Sequence, residues 1–293
     1  MGHSKPTGTD LKTRESEKPH VTKEDIKKGL REVGISDGAI VFAHSSLSSF
    51  GFVEGGADTV IDALLEAVGP QGTIALPTFT FVPGDIADDA EGVFDVANEP
   101  VPPSIGAIPE TFRKRQDAIR SHHICHSIAA IGPEAESLMG EGVYGYGKGS
   151  SFDRLYELDA WNIFLGATFN SCTALHVAEE QLEVPFRRFR TFKGYKVRLP
   201  NGEEIPSRCI EFQRAVPLDC HKGNDYYDGY DLGKMGAVFE KEGILRTRTI
   251  GESKVLNAKI RDIVDVTNLY LEVDPGYLLT AEAREKVREV YGC

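Results

Sequence analysis

The sequence lacks the features that mark several classes of protein. It has only five cysteines, three methionines and one tryptophan in 293 residues. The cysteines are odd in number and none are spaced C-x-x-C, so neither a disulfide framework nor a zinc ribbon is predicted. No apolar run approaches the roughly 18 residues that a membrane-spanning helix needs. Residues 1–20 contain only Met1 and Leu11 as large apolar side chains. We therefore expect a cytoplasmic protein with no signal peptide and no membrane partner.

Basic residues are also in short supply. Lys and Arg number 33 against 45 Asp and Glu, which gives a net charge of −12. Binding to duplex nucleic acid needs the opposite balance, because Lys and Arg neutralise the phosphates. A nucleic-acid partner is therefore not expected, and the negative field favours cationic small molecules instead.

The composition is that of a globular protein, with 41% hydrophobic and 27% charged residues. Residues 1–20 are polar and are predicted to form a disordered tail, and residues 21–293 a single domain. Apolar residues 39–43 and 73–76 read as buried strands on either side of an amphipathic helix, which is a βαβ unit. We therefore predict an α/β fold with a central, largely parallel or mixed sheet flanked by helices. Asn201-Gly202 predicts an additional β-hairpin region, between residues 195–199 and a strand near residues 209–212.

Residues 170–180 carry the clearest chemical signal. A helix predicted over residues 171–183 would place on one face Cys172, Leu175, His176, Glu179 and Leu182. The apolar members indicate that this face packs against protein, so the imidazole and the carboxylate need partners there. A carboxylate that accepts the ring N–H raises the basicity of the other nitrogen, which suits a general base. A surface pair without a role is the alternative that spacing alone leaves open.

A serine-rich segment follows the first buried strand, at residues 44–51. Ligands of α/β sheets bind beyond the carboxyl ends of the strands. Backbone N–H groups and hydroxyls there are suited to a phosphate or an acyl carbonyl. The segment is neither a P-loop nor a G-x-G-x-x-G motif, and a serine-capped helix entry is the alternative.

Two further patterns are weaker. His122, His123 and His126 form an H-H-x-x-H cluster around Cys125, and together with His176 they suggest a metal-dependent hydrolase. The cluster lacks the H-E-x-x-H general base and a cysteine pair, so no metal is expected. Nothing indicates the lowered thiol pKa that Cys172 would need to act as a nucleophile.

Taken together, these segments resemble the aminoglycoside 3-N-acetyltransferases, an antibiotic N-acetyltransferase family unrelated in fold to the GNAT acetyltransferases. The likeness runs from about Val21 to Leu271. The matching segments are, in order, residues 44–51 with Gly55-Gly56, residues 72–78, Arg120-Ser121-His122-His123 with Ser127 and Gly132, and residues 166–179. Two positions depart from the family, because many members have Pro in place of Ile124 and Ser-Pro in place of Ser151-Phe152.

The resemblance implies that acetyl-CoA is the co-substrate and that the acceptor is the 3-amino group of an aminoglycoside, which would confer antibiotic resistance. An amino sugar or another metabolite amine is the alternative acceptor, and a CoA-binding scaffold without turnover is the non-enzymatic one. A homodimer is a further expectation. His176 would be the general base and Glu179 the acid that orients it. The residues implied at the CoA site are His44, Ser45, Ser46, Leu47, Ser48 and Ser49, together with Ser104, Ser127 and Thr173.

Overall fold

The computed structural model describes residues 19–80, 90–214 and 229–292. The strands are β1 (His20–Val21), β2 (Ile40–Ser45), β3 (Phe52–Val53), β4 (Thr73–Pro77), β5 (Gly92–Asp95), β6 (Ile119–Arg120), β7 (Ile128–Ile131), β8 (Trp161–Leu165), β9 (Arg187–Thr191), β10 (Tyr195–Arg198), β11 (Glu204–Pro206), β12 (Ile210–Arg214), β13 (Arg246–Ile250) and β14 (Ser253–Lys259). The helices are α1 (Lys23–Glu32), α2 (Gly56–Val68), α3 (Ala107–Phe112), α4 (Ala135–Leu138), α5 (Ser151–Glu157), α6 (Leu175–Gln181), α7 (Gly233–Lys241), α8 (Ile260–Val273) and α9 (Ala281–Tyr291).

The central sheet is mixed and has the strand order β13-β14-β8-β2-β4-β7-β6. Strand β2 pairs in parallel with β4 and with β8, whereas the other pairs in this sheet are antiparallel. Helix α2 connects β2 to β4, so the predicted βαβ unit is confirmed. The parallel pairing is confined to the centre of the sheet, where β2 is covered on both faces.

Alternate residues of the central strands face two hydrophobic layers. On one face α1, α2 and α3 pack against Val41, Ile74 and Ile163. On the other face helices that include α5, α6, α7 and α8 pack against Phe42, Ala75 and Phe164. Within the described ranges, none of the helices combines the length and the apolar content needed to cross a bilayer.

Two predictions about the periphery need correction. The Asn201-Gly202 turn does join two antiparallel strands, but the partner of β10 is β11 rather than the strand near residues 209–212. The short turn brings residues 204–206 into register with β10 first, and the pairing runs on to the amide of Ser207, which donates to the carbonyl of Tyr195 at 2.9 Å. Strand β12 pairs with β9 instead. The predicted tail is too long by at least one residue, because His20 lies in β1; residues 1–18 lie outside the described part.

Candidate active site

The catalytic candidates lie on a short helix beyond the carboxyl end of β8. The chain leaves β8 at Gly166, makes a 3-10 turn at Phe169–Ser171 and enters α6 at Leu175. The prediction of a helix from residue 171 was therefore wrong at its start. Cys172 has ψ of 86°, which is not helical, and its side chain is fully buried. His176 and Glu179 do share one face of α6, as their spacing predicts.

His176 and Glu179 form a short, buried hydrogen bond. Nδ1 of His176 lies 2.5 Å from Oε2 of Glu179, whose side chain is completely buried. A carboxylate can only accept, so Nδ1 carries the ring hydrogen and Nε2 keeps its lone pair. Among the described residues, none forms a hydrogen bond with Nε2, and the His176 side chain is 11% exposed. The arrangement therefore presents a neutral imidazole with an available basic nitrogen.

Two residues distant from α6 complete the surroundings of Glu179. The Tyr230 hydroxyl donates to Oε1 at 3.0 Å, and Nη2 of Arg187 lies 3.1 Å from Oε2. Arg187 also donates to the Tyr230 hydroxyl at 2.9 Å and to the carbonyl of Phe212 at 2.6 Å. Nη2 of Arg187 also lies 3.1 Å from Nδ1 of His176, but Nδ1 already carries a hydrogen and cannot accept one. Every oxygen of the carboxylate thus has a donor.

The charges around the pair fix its protonation states. Burial and the positive charge of Arg187 lower the pKa of His176, and Glu179 offsets this in part. Burial on its own would raise the pKa of Glu179, but Arg187 and His176 hold that pKa below its usual value. At neutral pH the pair is therefore an ionised carboxylate beside a neutral imidazole, which is the state a general base needs.

The serine loop leaves the same edge of the sheet as the loop to His176. Ser45 and Leu165 are paired residues at the carboxyl ends of parallel strands β2 and β8, and the amide of Ser46 donates to the carbonyl of Leu165 at 2.9 Å. A cavity of about 570 Å³ opens beside this loop. It is lined by several of the residues implied at the CoA site, namely Ser45, Ser46, Leu47, Ser48 and Ser104, together with Gly106 and Ala107.

The other residues implied at the CoA site lie elsewhere. The Ser49 hydroxyl donates to the carbonyl of Ser46 at 2.7 Å and lines a neighbouring cavity of about 530 Å³. Thr173 donates to the carbonyl of Ser171 at 3.3 Å and is nearly buried. Burial lowers the pKa of His44 to about 3, so that this ring is neutral, and it stacks on Phe164.

Ser127 is completely buried and does not reach a cavity surface as it stands. Its hydroxyl donates to the carbonyl of Thr78 at 2.7 Å and accepts from Nε of Arg120 at 3.1 Å. Ser127 therefore ties the end of β4 to Arg120 beneath the surface.

The histidine cluster comes together only in part. His123, His126 and Glu211 offer ligand atoms within 4.8 Å of one another, and within the described ranges neither His122 nor His176 belongs to this group. The amide of His126 donates to Nδ1 of His123 at 2.9 Å. Burial alone would lower the pKa of His123, but Cys209 and Glu211 raise it to about 9, so the ring holds a proton that a metal ligand must lose. The cluster is therefore a poor fit for the metal centre of a hydrolase.

Cys172 and the two departures from the family pattern are buried in the interior of the protein. Burial raises the pKa of the Cys172 thiol to about 12, so the thiol stays protonated. Ile124 is fully buried, and Phe152 packs edge-on against Phe42 in the core. Both departures fill the interior of the protein.

Sequence reasoning missed Arg187, Tyr230 and Tyr146, which surround the pair. The rings of Tyr146 and Tyr230 lie 5.2 and 5.5 Å from the imidazole of His176, measured between ring centroids. No local motif points to them, because strand pairing and loop packing bring them to α6 from separate parts of the chain.

Comparison with known proteins gives consistent matches. The family model described as aminoglycoside 3-N-acetyltransferase matches residues 42–272. Aminoglycoside N(3)-acetyltransferase III of Acinetobacter baumannii is 31% identical over 277 residues, which cover 90% of this chain and 96% of the relative. An aminoglycoside N(3')-acetyltransferase-like protein of Bacillus subtilis, YokD, is 32% identical over 236 residues, which cover 74% of this chain and 85% of the relative.

Solved structures show the same fold. The aminoglycoside acetyltransferase AAC(3)-Xa has a TM-score of 0.75 at 28% identity, with 90% of this chain and 96% of that chain covered. AAC-VIa, solved with sisomicin bound, has a TM-score of 0.74 at 26% identity, with 87% and 98% covered. AAC-IIIb, solved with CoASH bound, has a TM-score of 0.74 at 24% identity, with 87% and 97% covered.

Proposed function

The chain belongs to the aminoglycoside 3-N-acetyltransferase family, and on this premise we propose that it transfers an acetyl group from acetyl-CoA to an aminoglycoside. The acceptor is the 3-amino group of the 2-deoxystreptamine ring, and acetylation there confers resistance. The observation that carries the proposal is the His176–Glu179 pair, with its basic nitrogen available at the carboxyl edge of the sheet. The activity is assigned to one domain that begins at β1, because β2 near one end of the described chain and β14 near the other lie in the same seven-stranded sheet.

The chemistry follows from the protonation states. Alkyl amines are largely protonated at neutral pH and attack a thioester only as the free base. The free-base amine, which has lost one proton to solvent, attacks the thioester carbonyl carbon, and Nε2 of His176 removes a second proton from the nitrogen as the C–N bond forms. The tetrahedral intermediate collapses with loss of the CoA thiolate, which takes the proton back from the imidazolium. Glu179 stabilises the imidazolium during this interval.

No acyl-enzyme is needed in this scheme, because Cys172 stays protonated and both substrates meet in a ternary complex. Acetyl-CoA is assigned to the cavity lined by Ser45, Ser46, Leu47, Ser48 and Ser104. The hydroxyls and backbone N–H groups of this loop suit the carbonyls and phosphates of CoA. Donors near this loop or near Thr173 would stabilise the oxyanion. The complexes named for AAC-IIIb with CoASH and for AAC-VIa with sisomicin support these two ligand classes.

The test replaces the proposed base. His176→Ala is expected to lower kcat by roughly 10²- to 10⁴-fold, which is the usual contribution of general acid–base catalysis. The matched control is His122→Ala, because His122 lies outside the pair. Turnover is followed by release of the CoA thiol with sisomicin as acceptor, and the position of the acetyl group is read by NMR of the product.

The alternatives give different results in the same experiment. Near-native turnover by His176→Ala would reject the assigned base. Acetylation of amino sugars, with no acetylation of 2-deoxystreptamine antibiotics, would show that the acceptor is an amino sugar or another metabolite amine. CoA binding without turnover on any amine would indicate a scaffold, and stoichiometric zinc with chelator-sensitive activity would indicate a hydrolase.

A further inference from the structure

A second carboxylate–imidazole pair lies behind the active site. Nδ1 of His126 lies 2.8 Å from Oε2 of Glu211, and Nε2 of the same ring lies 2.7 Å from the hydroxyl of Tyr146. All three side chains are buried, with Glu211 and Tyr146 each about 1% exposed. His126 belongs to the histidine cluster that the sequence singles out, and the mechanism above does not use it.

The ionised carboxylate of Glu211 fixes the direction of the first hydrogen bond in this chain. Burial would raise the pKa of Glu211, but the charges of His126 and His123 hold it below its usual value, so the carboxylate only accepts. His126 therefore donates Nδ1–H to the carboxylate, and its Nε2 is hydrogen-bonded to the phenol of Tyr146, as acceptor when the ring is neutral and as donor when it is protonated. In either state Tyr146, His126 and Glu211 form one chain of hydrogen bonds, and Glu211 accepts from His126 as Glu179 accepts from His176.

The difference between the two pairs is what occupies Nε2. In His176 this nitrogen is available, whereas in His126 it is taken by a phenol. The second pair therefore holds the position of Tyr146 and is not itself a base for the substrate.

The main chain of Tyr146 is fastened to the catalytic helix. Its amide donates to Oε2 of Glu180, which follows His176 by one turn of α6. A side chain at Gly147 would collide with the carboxylate of Glu180, and one at Gly145 would come within 3.2 Å of Oε2 of Glu211. The two glycines thus allow the Gly145-Tyr146-Gly147 segment to lie close against both acids.

We propose that Tyr146, held through its phenol by His126 and Glu211, is a positioning residue for the imidazole of His176. The centroid of its ring lies 5.2 Å from that of the imidazole. Tyr146 thus supports the histidine of the pair, whereas Tyr230 donates to the carboxylate of Glu179. One end of the tyrosine is tied to α6, which carries the base, and the other end to β12, which carries Glu211. This inference rests on the proposed function of His176.

The first test removes only the phenol oxygen. Tyr146→Phe is expected to lower kcat about 10-fold, because small displacements of a catalytic group are costly, and to leave KM for acetyl-CoA within about twofold of native. The matched control is Tyr156→Phe, which removes a phenol that donates to Asp265 at 2.7 Å away from the active site. The control is expected to keep native kcat.

Coupling between variants separates positioning from a loss of fold stability. Tyr146→Phe and His126→Gln remove the same hydrogen bond, so the double variant should be no slower than the slower single variant. In a His176→Ala background, Tyr146→Phe should cause no further loss of the residual rate. The low-field proton resonance of the His176–Glu179 hydrogen bond should broaden in Tyr146→Phe and persist in Tyr156→Phe.

Three results would overturn the inference. The first is a native kcat for Tyr146→Phe, and the second is fully multiplicative effects of the single variants. The third is stoichiometric zinc in the purified enzyme that is lost in Glu211→Gln. Failure of the proposed function looks different, because His176→Ala would then keep its activity whatever residue stands at position 146.

Discussion

At the scale of single residues, the imidazole of His176 is balanced between two opposite charges. Arg187 disfavours the imidazolium and Glu179 favours it, while burial lowers the pKa in either case. The ring also faces Tyr146 and Tyr230, and the charge of His126 lowers its pKa further. These three groups stay in place when either Arg187 or Glu179 is replaced. The fall of kcat/KM at low pH, the acid limb of its pH profile, reports this ionisation, because a protonated base cannot accept the proton of the amine.

Removing each charge should move that limb in opposite directions. Arg187→Gln removes a positive charge, so the pKa of His176 rises and the limb moves to higher pH. Glu179→Gln removes the negative charge, so the pKa falls, the limb moves to lower pH, and kcat drops by roughly 100-fold because the imidazolium loses its partner. The measurement is kcat/KM for one acceptor across the acid range.

Arg188→Gln is the control for this pair, since Arg188 lies on the same strand with its side chain exposed. The acid limb of kcat/KM for Arg188→Gln should fall at the same pH as that of the native enzyme. Shifts of the same sign in Arg187→Gln and Glu179→Gln would show that the limb belongs to another group.

At the scale of elements, the site depends on how two loops meet at the ends of β2 and β8. Gly166 stands at this junction with φ of +71°, and a side chain there would collide with Ser49 and Ser253. Ser49 in turn donates to the carbonyl of Ser46 in the serine loop. The close packing of these loops therefore requires glycine at position 166.

Gly166→Ala should therefore affect both stability and cofactor binding. Gly243→Ala is a matched control, because Gly243 has φ of +70° and open space around it. The control should lose about 1 kcal/mol from backbone strain alone. Gly166→Ala should lose roughly 1 to 3 kcal/mol more from overpacking, and its KM for acetyl-CoA should rise as the serine loop is displaced. Chemical denaturation and initial rates measure the two effects, and equal losses in both variants would contradict the role given to this junction.

The same scale shows what sequence can and cannot predict here. The βαβ unit and the His176–Glu179 pair follow from local periodicity, since neighbours on a strand or helix are fixed by spacing. Arg187 lies on strand β9, and Tyr230 follows Glu179 by 51 residues in the chain. Contacts of this kind depend on tertiary packing, so the spacing of residues within a helix or strand does not predict them. The predicted start of α6 is also wrong. The apolar spacing that predicts a helix begins at Cys172, but the chain there leaves a 3-10 turn and is not helical.

At the scale of the whole molecule, the net charge of −12 acts on the two proposed substrates with opposite sign. A polycationic aminoglycoside is drawn toward the protein, whereas the phosphates of acetyl-CoA are repelled. Salt screens both effects, since the Debye length falls to about 8 Å at physiological ionic strength. Long-range charge thus favours one substrate at the expense of the other.

Added salt should therefore weaken the capture of the acceptor without weakening the binding of acetyl-CoA. As NaCl concentration rises, kcat/KM for a tetra- or pentacationic acceptor should fall steeply, because steering of the acceptor is lost. The fall should be shallow for a monoamine acceptor, which serves as the internal control. Over the same range KM for acetyl-CoA should stay level or decrease, because its repulsion is screened. Stopped-flow or initial-rate measurements at fixed pH decide the matter: identical salt slopes for polycationic and monocationic acceptors would mean that local contacts, and not the overall charge, select the acceptor.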